Sequence, residues 1–466
     1  MRGRSVVCAV CSLVALLAAT GGSAQPEDWL EPYREVAQRL IRASLASTTA
    51  WDRLAELTDT FGSRLSGSEN LERAIDWAIA RMQADGLENV RREPVTVPRW
   101  VRGAESVEIV EPAPSPLVML GLGNSVGTPP GGLQAEALVV RSFDELEARA
   151  RDARGRIVVF NAPFTTYGES VQYRTAGPSR AARHGAVAAL LRSVGPMGLR
   201  TPHTGALRYA PDAPRIPAAA IAAEDAERLQ RLQDRGTRVV VRLRMEARFL
   251  PDVESANVVA EIRGRERPEE IVVVGGHLDS WDVGTGALDD GGGCIVTWEA
   301  LRLVRALGLR PRRTLRVVLF TNEENGLRGG LAYRDRHRAE LPRHVLMLES
   351  DSGVIRPVGF GFSGSARARE TVRAIAGLLA PIGIDQVRPG GGGADIGPSV
   401  EAAGIPAMSL IAEGEYFLVH HTPADTVERI PPEDMARAAA AIAVMSYVIA
   451  EMPQRLDDRS GESITR

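Results

Sequence analysis

The sequence predicts an α/β protein with a largely parallel central sheet, helices on both faces, and a β-rich module inserted near its middle. Three observations predict this. After about Asn257, apolar β-branched runs alternate with helical patterns, the mark of parallel strands joined by helical crossovers. Between about 100 and 243, prolines punctuate short strands. The 466 residues also exceed what one ordinary core organises.

Taken in order, Met1-Arg-Gly-Arg is a short basic start and Val6 to Ala19 is mostly apolar. Small residues from Thr20 to Ala24 follow. This reads as a signal peptide over 1–24, giving a secreted or periplasmic protein. No cysteine follows the apolar run, which argues against a lipoprotein. Cleavage moves the formal charge from −3 to −5 and leaves Cys294 as the one cysteine, which excludes an internal disulfide.

Residues 26 to about 95 read as helical, through Trp51-Asp-Arg-Leu-Ala-Glu-Leu and Leu71 to Ala84, with a turn-rich loop at Phe61-Gly-Ser-Arg between them. They form the first part (25–103) of the larger domain. The insert (104–243) carries strands such as Ala137-Leu-Val-Val and Arg156-Ile-Val-Val-Phe, with helical pieces near Ser179 to Arg192 and Glu224 to Leu232. The main part (244–466) has strands at Ile271-Val-Val-Val-Gly-Gly, Leu315 to Phe320, Val345 to Leu348 and Ala407 to Ala412. An amphipathic helix spans Cys294 to Leu307, closed by Gly308 and Pro311.

Composition narrows the chemistry. All 56 basic residues are arginine, so Schiff-base, pyridoxal-phosphate and P-loop lysines are excluded. The arginines are mixed with acids, which argues against a nucleic-acid surface. Histidines and acids instead gather after the strands, where ligands bind in open α/β sheets. His277 and Asp279 follow one strand, and Asp289-Asp290 lie in a Gly-rich loop. Glu323-Glu324, Asp351 and His420-His421 follow three more strands. Each signal is weak alone: a lone histidine is usually an ordinary hydrogen-bonded residue, and paired acids usually cap a helix. Their coincidence at one sheet edge is the strong signal. Clustered carboxylates repel one another unless a cation sits among them, and mixed imidazole and carboxylate donors suit zinc. A carboxylate outside the ligand set can then move a proton. In extended chain His420 and His421 point to opposite faces, so one at most faces the site.

These stretches resemble the co-catalytic zinc peptidases, a family that includes bacterial aminopeptidases and glutamate carboxypeptidases. The matching segments are Phe61-Gly-Ser-Arg-Leu-Ser-Gly-Ser, Gly275-Gly-His-Leu-Asp, Gly286-Ala-Leu-Asp-Asp-Gly, Thr321-Asn-Glu-Glu-Asn-Gly, Glu349-Ser-Asp and His420-His-Thr-Pro-Ala-Asp-Thr. The resemblance implies two Zn2+ ions. Asp289 would bridge them, His277 and Asp351 would complete one site, and Glu324 and His421 the other. It implies Glu323 as general base, Asp279 as hydrogen-bond partner of the far nitrogen of His277, and a cis Asp289–Asp290 peptide. It also implies that the insert is a protease-associated domain, in which His184 is structural. Ala394-Asp395 departs from the Ser or Thr the family often carries there. Tyr416, shortly before His421, is a candidate oxyanion donor.

The activity implied is an exopeptidase acting on dipeptides or short peptides. Expected associations are a homodimer, no nucleic acid, and no stable membrane insertion after signal cleavage. A single-zinc glutaminyl cyclase and a receptor-like member with a decayed site are the alternatives. The full set of ligand residues argues against both.

Overall fold

In a computed structural model of the chain, residues 29–456 are described. The signal-peptide assignment over 1–24 lies outside them. Helices α1 (Glu31–Leu45), α2 (Thr49–Phe61) and α3 (Glu69–Ala84) come first. Ser68 caps α3 by accepting from the Leu71 amide. The long strand β1 (Glu88–Val101) follows.

A second sheet then begins. It contains β2 (Glu105–Glu111), β3 (Ser115–Leu117), β4 (Met119–Gly121) and β5 (Leu133–Val140). Next come α4 (Phe143–Ala148), α5 (Ala150–Ala153), β6 (Ile157–Phe160), α6 (Tyr167–Thr175) and α7 (Gly177–Arg183). The segment closes with β7 (Ala188–Arg192), β8 (Ala218–Ile221), α8 (Ala223–Asp234) and β9 (Val240–Met245). Its strand order is β3-β2-β9-β5-β6-β7-β8-β4. The predicted helix from Ser179 to Arg192 is thus half wrong. It ends at Arg183, and Ala188–Arg192 is a buried strand, because an Ala-Leu run carries no period that separates the two states.

The remaining chain supplies β10 (Arg248–Ile262), β11 (Arg267–His277), α9 (Gly292–Ala306), β12 (Arg313–Phe320) and α10 (Arg328–Arg336). Then follow β13 (His344–Glu349), β14 (Pro357–Ser363), α11 (Ala366–Ala376) and β15 (Gln386–Pro389). Last are α12 (Gly397–Ala403), β16 (Ala407–Ala412), α13 (Tyr416–Val419) and α14 (Pro432–Glu451). The first sheet runs β1-β10-β12-β11-β13-β16-β14-β15.

That sheet is mixed rather than largely parallel. β12, β11, β13 and β16 are mutually parallel, whereas β10 pairs antiparallel with both β1 and β12, and β14 pairs antiparallel with β16 and parallel with β15. The antiparallel flanking strands carry the same apolar composition as the parallel ones, so the sequence pattern did not separate them. Helices do cover both faces. Val272 and Val274 of β11 enter a cluster with α1, α9 and α14, and Ile271 and Val273 enter another with Tyr333 and Ile396. Helix α9 is buried on nearly all sides instead of amphipathic, because α1, α2 and α14 pack over it. Cys294 within it is a buried free thiol. Among the described residues no helix is long and apolar enough to cross a membrane.

Candidate metal centre

The four parallel strands deliver the site because their carboxyl ends are in register. His277 pairs with Phe320, Gly275 with Glu349, and Glu349 with Ser409. The loops leaving that edge therefore start side by side.

His277 ends β11. Its Nδ1 is 2.9 Å from the backbone carbonyl of Asp279, which fixes Nε2 as the free lone pair. This corrects the expected Asp279 carboxylate contact, since the nearer carboxylate oxygen is 3.8 Å away. The carboxylate works elsewhere: it accepts from the amides of Glu323 (3.1 Å) and Glu324 (3.4 Å) and from Ser66 Oγ (3.2 Å). Asp279 thus holds the tip of the loop that carries both glutamates. Asn322, at φ +64°, turns that loop, a conformation asparagine tolerates.

Asp289 lies in the loop before α9. Three consecutive amides, of Ala287, Leu288 and Asp289, donate to the Asp425 carboxylate at 2.7–3.1 Å. Asp290 is tied to the scaffold, accepting from the amides of His277 (3.0 Å) and Gly293 (3.1 Å). The close approach requires glycine at 293, where a Cβ would lie 2.2 Å from the Asp290 carboxylate. The Asp289–Asp290 peptide is cis. Arg64, fully buried, donates to the carbonyls of Gly62, Leu278, Thr285 and Gly286, so the Phe61-Gly-Ser-Arg stretch clamps the two flanking loops together.

Asp289 stands between two histidines. Its Oδ1 is 3.3 Å from His277 Nε2, and its Oδ2 is 3.2 Å from His421 Nε2. Asp351 Oδ1 is 3.5 Å from His277 Nε2, and Glu324 Oε2 is 3.1 Å from His421 Nε2. Glu323 and Tyr416 border the same recess. Tyr416 packs 5.0 Å from His420, ring to ring. The expected ligands His277, Asp289, Glu324, Asp351 and His421 thus converge on this one place, with Glu323 and Tyr416 beside them.

His420 is the residue that strand logic misplaced. Its ring stacks on His421 at 3.5 Å between centroids, and its Nε2 is 3.5 Å from Asp289 Oδ2, so both histidines face the site. The alternation of extended chain does not apply, because His421 has φ +62° and turns back. The groups able to hold an ion among the described residues are His277-Asp289-Glu324, His277-Asp290-Asp351 and Asp289-His420-His421.

Electrostatics show what the cluster lacks. Burial, reinforced by neighbouring carboxylates, pushes Asp351 up and Glu324 well above the usual carboxylate range. Burial likewise raises Glu323 to about 8, with Asp351 and Asp279 adding to it. Burial and the surrounding acids hold the Tyr416 phenol protonated, well above its ordinary value. His277 Nε2, Asp289 Oδ2 and Glu324 Oε1 are buried with no hydrogen-bond partner among the described residues. Orphaned donor atoms of mixed imidazole and carboxylate type, converging in one recess, fit a divalent cation.

Helix α6 and the loop between β7 and β8 reach this recess, which nothing in the sequence indicated. Arg174 Nη1 is 3.2 Å from His421 Nδ1, and the Thr204 carbonyl is 3.3 Å from the same atom. The Thr204 amide donates to the His421 carbonyl, and His203 Nδ1 lies 2.7 Å from the His420 carbonyl. These contacts join residues more than 200 positions apart, beyond any local motif.

Residues 257–446 match the model of peptidase family M28. Carboxypeptidase Q of Pongo abelii is 48% identical over 428 residues, covering 91% of this chain and 90% of that protein. Carboxypeptidase Q of Homo sapiens is 47% identical over 426 residues, with 91% and 90% covered. A peptidase M28 precursor from Shewanella amazonensis SB2B superposes with a TM-score of 0.86 at 37% identity, covering 91% of this chain and 98% of that one. A zinc aminopeptidase from Bacillus subtilis shares the fold, with a TM-score of 0.66 at 22% identity over 88% and 96% of the two chains. With such identity across nine-tenths of its length, and with histidines and carboxylates gathered at its sheet edge, the chain belongs to peptidase family M28 and is a metallopeptidase.

Proposed function

We propose that the protein is a secreted exopeptidase that hydrolyses dipeptides or short peptides with two zinc ions. His277 and Asp351 would hold one ion, Glu324 and His421 the other, and Asp289 both. One observation carries the reading: the two oxygens of Asp289 each face a different histidine, at 3.3 and 3.2 Å. Such ions, when bound, polarise the scissile carbonyl and make a water more acidic.

The chain's own residues do the rest. Glu323, unlike Glu324, has no close contact to either histidine, and is free to take the proton of the attacking water and pass it to the leaving amine. A carboxylate within reach of the water is the group type that carries such a proton. Tyr416 keeps its proton and donates it in a hydrogen bond to the developing oxyanion. The loop clamps made by Asp279, Asp425 and Arg64 hold these groups in place before substrate arrives.

The segment 104–243 is read as a protease-associated-like insert. It has one apolar cluster of its own, around Phe160, Leu191 and Ala220, and shares another, around Ile109, Val159 and Leu243, with Leu65, Trp100 and Trp281 of the rest of the chain. The test of function is a panel of free and end-blocked dipeptides and tripeptides with zinc-loaded protein. Hydrolysis confined to peptides with a free end supports the reading. Cleavage of doubly blocked peptides, or none at all, refutes it.

A further inference from the structure

The loop that leaves β11 after His277 carries a tryptophan whose ring crosses to the other half of the site. Trp281 follows Asp279 closely in the chain and is 2% exposed. Its indole meets the imidazole of His421 edge to face, with ring centroids 5.6 Å apart at 64°. His277 faces Asp351 and His421 faces Glu324, so a side chain from the His277 loop touches a member of the opposite pair. The loop is held firmly. The Arg102 guanidinium grips the Asp282 carboxylate at 2.8 and 2.5 Å, and also donates to the Gly121 carbonyl and to Thr204 Oγ1.

The indole rests on segment 104–243. A Cβ on Gly123 would fall 1.9 Å from Trp281 Cη2 and 2.2 Å from Cζ3, far inside the ~3.5 Å of an ordinary carbon contact. Only glycine lets the chain pass so close to the ring. Gly123 has no room to retreat, because its amide donates to the Gly205 carbonyl (3.1 Å) and its carbonyl accepts from the Leu207 amide (3.0 Å). The indole also joins an apolar cluster with Val107, Leu243 and Met245. The same backbone holds His421 from outside: the Thr204 amide donates to the His421 carbonyl (3.0 Å), and Thr204 Oγ1 donates to the Gly121 carbonyl (2.7 Å).

We infer that Trp281 is a positioning residue that sets how far apart the His277 and His421 halves of the metal centre stand, so that segment 104–243 governs how tightly the His421 side holds its ion. This rests on the two-zinc reading and deepens it. Two ions that share a carboxylate work over a narrow span, about 3.5–4 Å in two-metal sites. A close-packed interior transmits a displacement of one wall to the next, because it has no slack to absorb it. His277 and Asp289 are fixed separately, by the register of β11 and by the Asp425 carboxylate, so the ion on their side is indifferent to the indole.

The experiment measures both zinc dissociation constants by competition with a chromogenic chelator, on wild type, Trp281→Phe, Gly123→Ala and the double variant. Trp281→Phe is expected to weaken the looser ion by about 10-fold and the tighter one by less than about threefold. Gly123→Ala weakens the looser ion by about 10–100-fold, since the new methyl drives the indole onto His421. In the double variant the shorter phenyl ring leaves room for that methyl, and Gly123→Ala then costs less than about threefold. His421→Ala identifies the ion: in that background Trp281→Phe shifts the affinity of the remaining ion by less than about threefold. Equal weakening of both ions, or a Gly123→Ala loss that is the same in both backgrounds, overturns the inference and marks residues that only support the fold. Wild-type affinities in Trp281→Phe overturn it too. Were Gly123→Ala to fail to fold, Trp281→Phe alone decides, by whether its loss falls on one ion or on both. With two ions in the wild type such results overturn this inference alone, whereas one ion in the wild type removes the two-zinc reading with it.

Discussion

Removing the Asp425 carboxylate tests how the Asp289 loop is held. Asp425 is 3% exposed and accepts three backbone N–H groups from Ala287, Leu288 and Asp289. Asp425→Ala leaves all three donors buried without an acceptor. At ~1–3 kcal/mol for each unsatisfied group, and allowing water to enter the space vacated, the expected destabilisation is about 4 kcal/mol. Asp425→Asn keeps one oxygen for Ala287 and Leu288 but sets an amide donor against the Asp289 amide, for about 2 kcal/mol. Because the loop carries Asp289, metal affinity falls with it, by about 10–100-fold, as for other partners that orient a ligand. Urea unfolding of metal-saturated protein measures the first effect, and zinc competition against a chromogenic chelator measures the second. An Ala variant within about 1 kcal/mol of wild type that keeps wild-type zinc affinity would refute the reasoning.

Other outcomes are expected at separate points of the site and fold. Glu323→Gln retains metal but loses about 10³-fold in turnover, since it removes the proton carrier and no ligand; near-wild-type hydrolysis would exclude that role. His421→Ala releases more zinc than His420→Ala, because His421 lies 3.1 Å from Glu324 and 3.2 Å from Asp289 while His420 is 3.5 Å from Asp289. The reverse order would show that the stacked neighbour is the ligand. Burial depresses His344 from 6.5 to about 3, with Arg316 adding to it. The unfolded chain therefore binds the extra proton. The stabilisation is fully present above pH 6.5 and is lost as pH falls towards 3, at up to about 1.4 kcal/mol per pH unit from this group. His344→Gln should flatten stability against pH between 4 and 6, and an unchanged slope would contradict the assignment.

Much of the site was legible because its residues lie at or in the loops that leave strand ends, where sequence pattern and geometry coincide. His277, Asp289, Glu324, Asp351 and His421 follow runs whose register the hydrophobic pattern marks. What failed depended on backbone detail. His420 joins the cluster through a left-handed residue at 421, and the partner of His277 is the carbonyl of Asp279 rather than its side chain. Strand direction was misjudged because apolar runs do not encode it, which made a mixed sheet look largely parallel. Arg174 was invisible for another reason. It meets His421 across 247 residues of chain, from helix α6.

The account centres on two ions joined by Asp289. Metal analysis after equilibrium dialysis against zinc tests this most directly, on the wild type and on Asp289→Asn. Two zinc ions per wild-type chain, falling below one in Asp289→Asn with loss of peptidase activity, is the predicted result. A single ion per active wild-type chain, or two retained ions in Asp289→Asn, would contradict it.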